Sequence, residues 1–231
     1  MADITAVLFD IDGTLLDMRG AGRRSFALAL EHLFGWKDNL DYINFAGNTD
    51  LNVLQQVLAH RQVHLSEQDI AAFFARVPQE LEREAQEAEL VLYPGVRPLL
   101  ETLAADERAV LGLVTGNIEA CAKIKLQQFD LHGHFVLGGY GDRFSDRTDI
   151  ARHALELVRE RLQPGQQILR CVLVGDTPYD VAAARNIGAL AVGVATGKFT
   201  LADLQKAGAD HALENLFDTA GVIQLFGLST P

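Results

Sequence analysis

Short, β-rich apolar runs alternate with helix-period segments along most of this chain, and that alternation constrains the fold more than any other feature. Ile4-Thr5-Ala6-Val7-Leu8-Phe9 comes first and stops at Asp10, with Gly13 supplying the freedom that a strand-to-loop transition needs. Runs of similar length recur at Ala109 to Val114, Ile168 to Val174 and Leu190 to Val194. Between them the apolar residues take helical spacing: Val96, Leu99, Leu100 and Leu103; then Ile118, Cys121, Ala122, Leu126 and Phe129; then Ile150, Ala154, Leu157 and Val158. Asp180 to Asn186 is short and closes at Gly188, a residue suited to a helix end. Strands that alternate with helices predict an α/β fold: a Rossmann-like parallel sheet core flanked by helices.

From Asp17 to Leu92 the pattern changes. No strand candidate stands there, and three helical faces follow one another: Phe26, Leu30, Leu33 and Phe34; Leu51, Leu54, Val57 and Leu58; Ile70, Phe73, Phe74 and Val77. Ser66 with Asp69 three residues later is a helix-start signature. The expectation is a small α-helical cap domain inserted after the first strand, residues 17–92, over a core made of 1–16 and 93–231.

Composition narrows the class. The chain is 48% hydrophobic and 22% charged, as a soluble globular protein is, and no apolar run approaches the roughly 20 residues of a spanning helix. No secretory signal pattern opens the chain, and the two cysteines, Cys121 and Cys171, sit in apolar periodic segments as reduced thiols do. A cytoplasmic protein without a membrane partner is expected, either a monomer or a homodimer. A formal net charge of −11 with no Lys/Arg cluster disfavours nucleic acid. An anionic substrate would need local help against that field, which a bound divalent cation supplies best.

In a parallel α/β sheet, sites form beyond the carboxyl ends of the strands. Four polar groups stand at such places: Asp10 and Asp12; Thr115-Gly116-Asn117; the stretch Asp142 to Asp149 after a less distinct strand; and Gly175-Asp176-Thr177-Pro178-Tyr179-Asp180. Two carboxylates one residue apart can divide their roles, one ionised as nucleophile and one carrying a proton. Asp176 adds an oxygen ligand of the kind Mg²⁺ favours, while Asp180 either steadies the site from behind or reaches a cation through water. Thr115, the Gly116 amide and Asn117 offer donors for phosphate oxygens.

Taken as an ordered set, these residues resemble the haloacid dehalogenase superfamily: Asp10-Ile11-Asp12-Gly13-Thr14, then Thr115-Gly116-Asn117, a basic residue, then Gly175-Asp176 and Asp180. The resemblance runs over nearly the whole chain, and the helical insertion looks like that superfamily's cap. It implies that Asp10 attacks phosphorus and forms an aspartyl-phosphate, while Asp12 protonates the leaving oxygen and later activates water. It further implies Mg²⁺ held by the Asp10 side chain, the Asp12 backbone carbonyl and Asp176. The third motif departs from the common Lys-then-Asp-Pro pattern, since this chain has Asp146-Arg147-Thr148-Asp149. Arg147 is assigned the phosphate-binding role, because Arg binds phosphate bidentately at any working pH, with Arg143 as its competitor.

Plainer accounts exist for each residue alone. Asp12-Gly13 is a turn dipeptide, Thr115 a possible helix cap, and Asp176 and Asp180 flank a helix start with Pro178 in its first turn. Arg147 on a polar loop is commonly solvated. The pairs His60/His64 and His132/His134 lack a third metal ligand, and Gly138-Gly139-Tyr140-Gly141 reads as a turn after a strand. In the insertion, Arg23, Arg24, Asn48, Thr49 and Asp50 are candidates to face the site, with Thr49 or Asp50 also a cap for the helix near Leu51. The functional expectation is a Mg²⁺-dependent phosphatase for a small phosphorylated metabolite, phosphoglycolate-type substrates being a natural choice from the resemblance. A sugar phosphomutase of the β-phosphoglucomutase type and a non-catalytic binding scaffold are the alternatives. A dehalogenase fits less well, since the position matching Asp12 is not acidic in those enzymes.

Overall fold

The computed structural model describes residues 3–228. Its strands are β1 (Ile4–Phe9), β2 (Leu16–Asp17), β3 (Val91–Leu92), β4 (Ala109–Val114), β5 (Leu137–Gly139), β6 (Ile168–Gly175), β7 (Leu190–Val194) and β8 (His211–Leu213). The helices are α1 (Ala21–Phe34), α2 (Asp50–Arg61), α3 (Glu67–Glu87), α4 (Val96–Ala104), α5 (Glu119–Gln127), α6 (Arg147–Glu160), α7 (Pro178–Asn186), α8 (Leu201–Lys206) and α9 (Thr219–Leu225). Six strands form one sheet in the order β5-β4-β1-β6-β7-β8, every neighbouring pair parallel. The α/β expectation holds.

Alternation within each strand explains why both faces need cover. Val7 and Phe9 point into one core with Leu113, Val174 and Phe226, whereas Ala6 and Leu8 point into a second with Ile150, Ala154, Val181 and Ala184. The second core is rich in alanine, which lets α6 and α7 lie close to the sheet. Phe9 is wholly buried and meets Phe135 and Phe226 edge-on at 6.2 and 6.5 Å. Truncating such a side chain typically costs about 3–5 kcal/mol.

Strand order places the site. From β1 the chain moves outward to β4 and β5 on one side and to β6, β7 and β8 on the other, so the topology switches at β1. A crevice opens there beyond the carboxyl ends.

Helices α1, α2 and α3 lie between β2 and β3, which pair antiparallel through Leu16 with Leu92 and Asp17 with Val91. That ribbon corrects the expectation of no strand between Asp17 and Leu92; two residues per strand are too few to register as a pattern. Ser66 and Asp69 form the expected reciprocal cap of α3, and Phe26 of α1 lies 4.9 Å from Phe73 of α3, ring centre to ring centre. Gly138 and Gly139, expected in a turn, belong to β5. Among the described residues no helix is long and apolar enough to cross a membrane.

Candidate active site

Register brings the strand-end residues together before any side chain is considered. Phe9 pairs with Leu113 on one side and Val174 on the other. The next residues are therefore Asp10, Val114 and Gly175, with Thr115 and Asp176 one step further out. Gly13 turns the chain after β1 at φ 84°, and a Cβ there would run into the Asp176 carboxylate. Only glycine tolerates both the angle and that approach.

Asp10, Asp176 and Asp180 are buried, and one carboxylate oxygen of each lies within 4.8 Å of the others. Arg147 stands among them. Its Nη2 is 2.6 Å from Asp10 Oδ1 and 2.6 Å from Asp180 Oδ1, with Nε 2.8 Å from the same Asp180 oxygen. The other Asp180 oxygen accepts from the Thr177 amide at 3.1 Å and the Thr177 hydroxyl at 2.7 Å, within the reciprocal cap of α7. Asp180 thus has both oxygens committed to protein donors, whereas Asp10 and Asp176 face the crevice more freely.

Burial pushes the Asp10 carboxyl up to about 7, against the pull of Arg147, with Asp180 and Asp12 adding to the rise. Burial pushes Asp176 further, to about 9, and the charges of Asp10 and Asp180 reinforce it. Burial opposes the Arg147 charge, but Asp10 and Asp180 outweigh it and hold the guanidinium firmly protonated. One guanidinium facing three carboxylates leaves two negative charges uncompensated when all are ionised. A buried all-oxygen donor set with surplus negative charge fits a hard divalent cation such as Mg²⁺.

A second cluster surrounds Asp12. Its side chain is 43% exposed, yet it is gripped by Lys125 of α5, whose Nζ lies 2.8 Å from Oδ1 and 2.7 Å from Oδ2. Asn117 donates from Nδ2 to Asp12 Oδ2 and to Thr115 Oγ1, both at 2.7 Å, and its Oδ1 accepts from Lys125 at 2.6 Å. The Asn117 amide also donates to Thr115 Oγ1 at 3.3 Å. Thr115 therefore has its acceptor sites filled and its hydroxyl hydrogen to offer to the crevice. Burial works against the charge of Lys125, but Asp12 and then Asp50 more than offset it and raise its pKa. Sequence reasoning missed Lys125. The signal was present: it lies four residues after Cys121 and one before Leu126, on the apolar stripe of α5, where a lysine needs a partner.

A cavity of about 540 Å³ opens over both clusters. Asp10, Asp12, Thr115, Gly116, Asn117, Arg147 and Asp176 line it, as do Arg23, Asn48 and Asp50 from the segment between β2 and β3. Arg147, not Arg143, reaches Asp10; Arg143 is exposed and stands apart from the cavity wall. Arg24 instead pairs with Glu84, and buried Thr49 caps α2 by accepting from the Asn52 amide. Asp50 accepts from the Ile118 amide at 2.8 Å, and its own amide donates to the Gly116 carbonyl at 2.7 Å. Helix α2 is therefore seated on the loop that carries Thr115.

Fold and site together define a hydrolase of the α/β class with an aspartate at the central strand's end. Residues 4–188 match the model of the haloacid dehalogenase-like hydrolases, and the chain belongs to that family. A phosphoglycolate phosphatase of Agrobacterium fabrum is 28% identical over 197 residues, covering 82% of this chain and 80% of its own. One from Synechococcus elongatus is 30% identical over 217 residues, covering 92% and 94%. Among solved structures, a hydrolase from Pseudomonas syringae superposes with a TM-score of 0.70 at 22% identity, over 98% of this chain and 100% of the other, a likeness of fold.

Proposed function

We propose that this enzyme is a Mg²⁺-dependent phosphatase that hydrolyses a small phosphorylated metabolite through an aspartyl-phosphate on Asp10. The observation that carries the reading is the placement of Asp10: it ends the central strand, is held by Arg147, stands beside Asp176 and faces the cavity. The phosphoglycolate phosphatases among its relatives support a small phosphomonoester, and a two-carbon acid phosphate is the first substrate to try.

Residues 17–92 act in this reading as a cap domain that closes the cavity over a core of 1–16 and 93–231. The Asp10 and Asp176 side chains and the Asp12 carbonyl would hold Mg²⁺, with Asp180 fixing Arg147 from behind. Mg²⁺ bound there would neutralise charge on the transferring phosphoryl group. Arg147, the Thr115 hydroxyl, the Gly116 amide and Asn117 receive the phosphate oxygens. Asn117 does so chiefly by orienting Thr115, since its side-chain amide is already engaged. An oxygen of Asp10 attacks phosphorus, the ester bond breaks toward the leaving alkoxide, and Asp12 delivers the proton. Water then attacks the aspartyl-phosphate, gives its proton to Asp12 and returns Asp10 as the carboxylate. A cytoplasmic setting belongs to the same reading, and the free thiols Cys121 and Cys171 support it.

The test is a panel of phosphorylated metabolites with and without Mg²⁺, run on the wild type and Asp10→Asn. Phosphate release that needs Mg²⁺ and disappears in a folded Asp10→Asn variant is the expected outcome. Turnover that survives Asp10→Asn sinks the assignment, and isomer formation from sugar phosphates without phosphate release replaces the phosphatase with a mutase.

A further inference from the structure

We propose that Lys125 is the positioning residue that holds Asp12 for proton transfer, with Asn117 as the tie between them. The inference rests on the phosphatase reading above and deepens it. Asp12 sits on a loop with a side chain 43% exposed, whereas the Lys125 side chain is 6% exposed and comes from the buried face of α5. An unheld carboxylate in that setting would sample several rotamers, and only some aim at a leaving oxygen.

The donor count decides what Lys125 does. An ammonium has three hydrogens, and three acceptors surround this one: Asp12 Oδ1, Asp12 Oδ2 and Asn117 Oδ1. None is left for a substrate phosphate, so Lys125 acts on the reaction through Asp12. The Asn117 side chain is saturated in the same way, with its hydrogens on Asp12 and Thr115 and its oxygen on Lys125. Asp12 Oδ2 accepts from both Lys125 and Asn117, while Oδ1 accepts from Lys125 alone. Oδ1 thus keeps a lone pair that these donors do not occupy, and on this proposal it is the oxygen that exchanges the proton. The proton passes from Oδ1 to the leaving alkoxide as the phosphorus–oxygen ester bond breaks. Oδ1 recovers one from the water that attacks the aspartyl-phosphate.

Lys125→Met tests this with two esters. p-Nitrophenyl phosphate loses a phenolate that leaves without a proton, whereas phosphoglycolate loses an alkoxide that requires one. Rapid-quench measurement should show the first burst of nitrophenolate largely retained and that of glycolate slowed by about 10²-fold or more. The nitrophenolate burst also counts folded sites, so a fold defect is read separately. In an Asp12→Asn background, adding Lys125→Met should slow the glycolate step no further, because the two residues act as one unit. That double variant removes the Lys125–Asp12 pair from both ends, and Asp50, whose carboxyl burial already pushes up to about 6, can take a proton, so the variant remains testable even where Lys125→Met does not fold. Equal slowing of both bursts, or an undiminished loss in the Asp12→Asn background, overturns the role of Lys125 alone. Should phosphoglycolate not be turned over, the alkyl phosphate that the panel identifies takes its place, and a wild type inert toward the whole panel overturns the phosphatase reading and this inference with it.

Discussion

Arg147 meets two carboxylates with one guanidinium nitrogen, and that sharing makes it the most exacting residue of the site. Removing it strands Asp10 and Asp180 in a buried setting, and breaking a buried pair from one side typically costs about 3–5 kcal/mol. Part of the cost is relieved because Asp10, already pushed up to about 7, takes a proton more readily still without its cation. Arg147→Met should therefore lose stability toward the lower end of that range in urea titration, and kcat should fall by about 10²-fold or more as phosphate loses a donor. Arg147→Lys keeps the charge but cannot fork, so an intermediate loss is expected in both measurements. A fully active Arg147→Met would remove the residue from the reaction.

At the scale of elements, the docking of α2 onto the loop after β4 leaves little room. The Asp50 amide donates to the Gly116 carbonyl, the Leu51 amide donates to the Gly141 carbonyl at 3.1 Å, and a Cβ at Gly116 would overlap the Asn48 carbonyl. Gly116→Ala should therefore cost roughly 1–3 kcal/mol and lower kcat/KM by up to about 10²-fold through displacement of Thr115. Wild-type kinetics and stability in that variant would show that the approach is dispensable. This close packing was invisible in the sequence, where Gly116 stood out only as a phosphate donor. Strands β1, β4 and β7 were legible because each is a continuous apolar run with most of its residues buried, and β6 because its buried end, Val172 to Val174, keeps that pattern although Arg170 interrupts the run. Strand β8 was not, since His211-Ala212-Leu213 is a short, half-buried edge. Nor was β5, whose glycines resemble a turn but admit α6: a Cβ on Gly139 would meet the Ile150 carbonyl. Asp10, Thr115 and Asp176 were legible for the same reason as their strands, being the first polar residues after them. Lys125 enters the site from the middle of a helix, where no strand end points to it.

At the scale of the whole molecule, a net charge of −11 surrounds a site that must accept a phosphate dianion, and the same electrostatics link stability to pH and to the Mg²⁺ of the proposed function. Asp10 and Asp176 have folded-state pKa values of about 7 and about 9, above the ordinary 3.8. The folded state therefore binds more protons than the unfolded chain across that window, so these groups make stability fall as pH rises from about 4 toward about 9. A divalent cation needs the deprotonated carboxylates and competes with those protons, so its affinity rises over the same window. Its stabilisation of the folded state grows with that affinity. Calorimetry in chelator should accordingly give a lower Tm near pH 9 than near pH 6, and millimolar Mg²⁺ should raise Tm more at the alkaline end. Asp176→Asn should lose most of the Mg²⁺ response and flatten the slope in chelator, because it removes a proposed cation ligand and one of the two carboxyls that burial raises. A Mg²⁺ shift of equal size at both ends, or one that Asp176→Asn leaves intact, would place the cation elsewhere than beside Asp10.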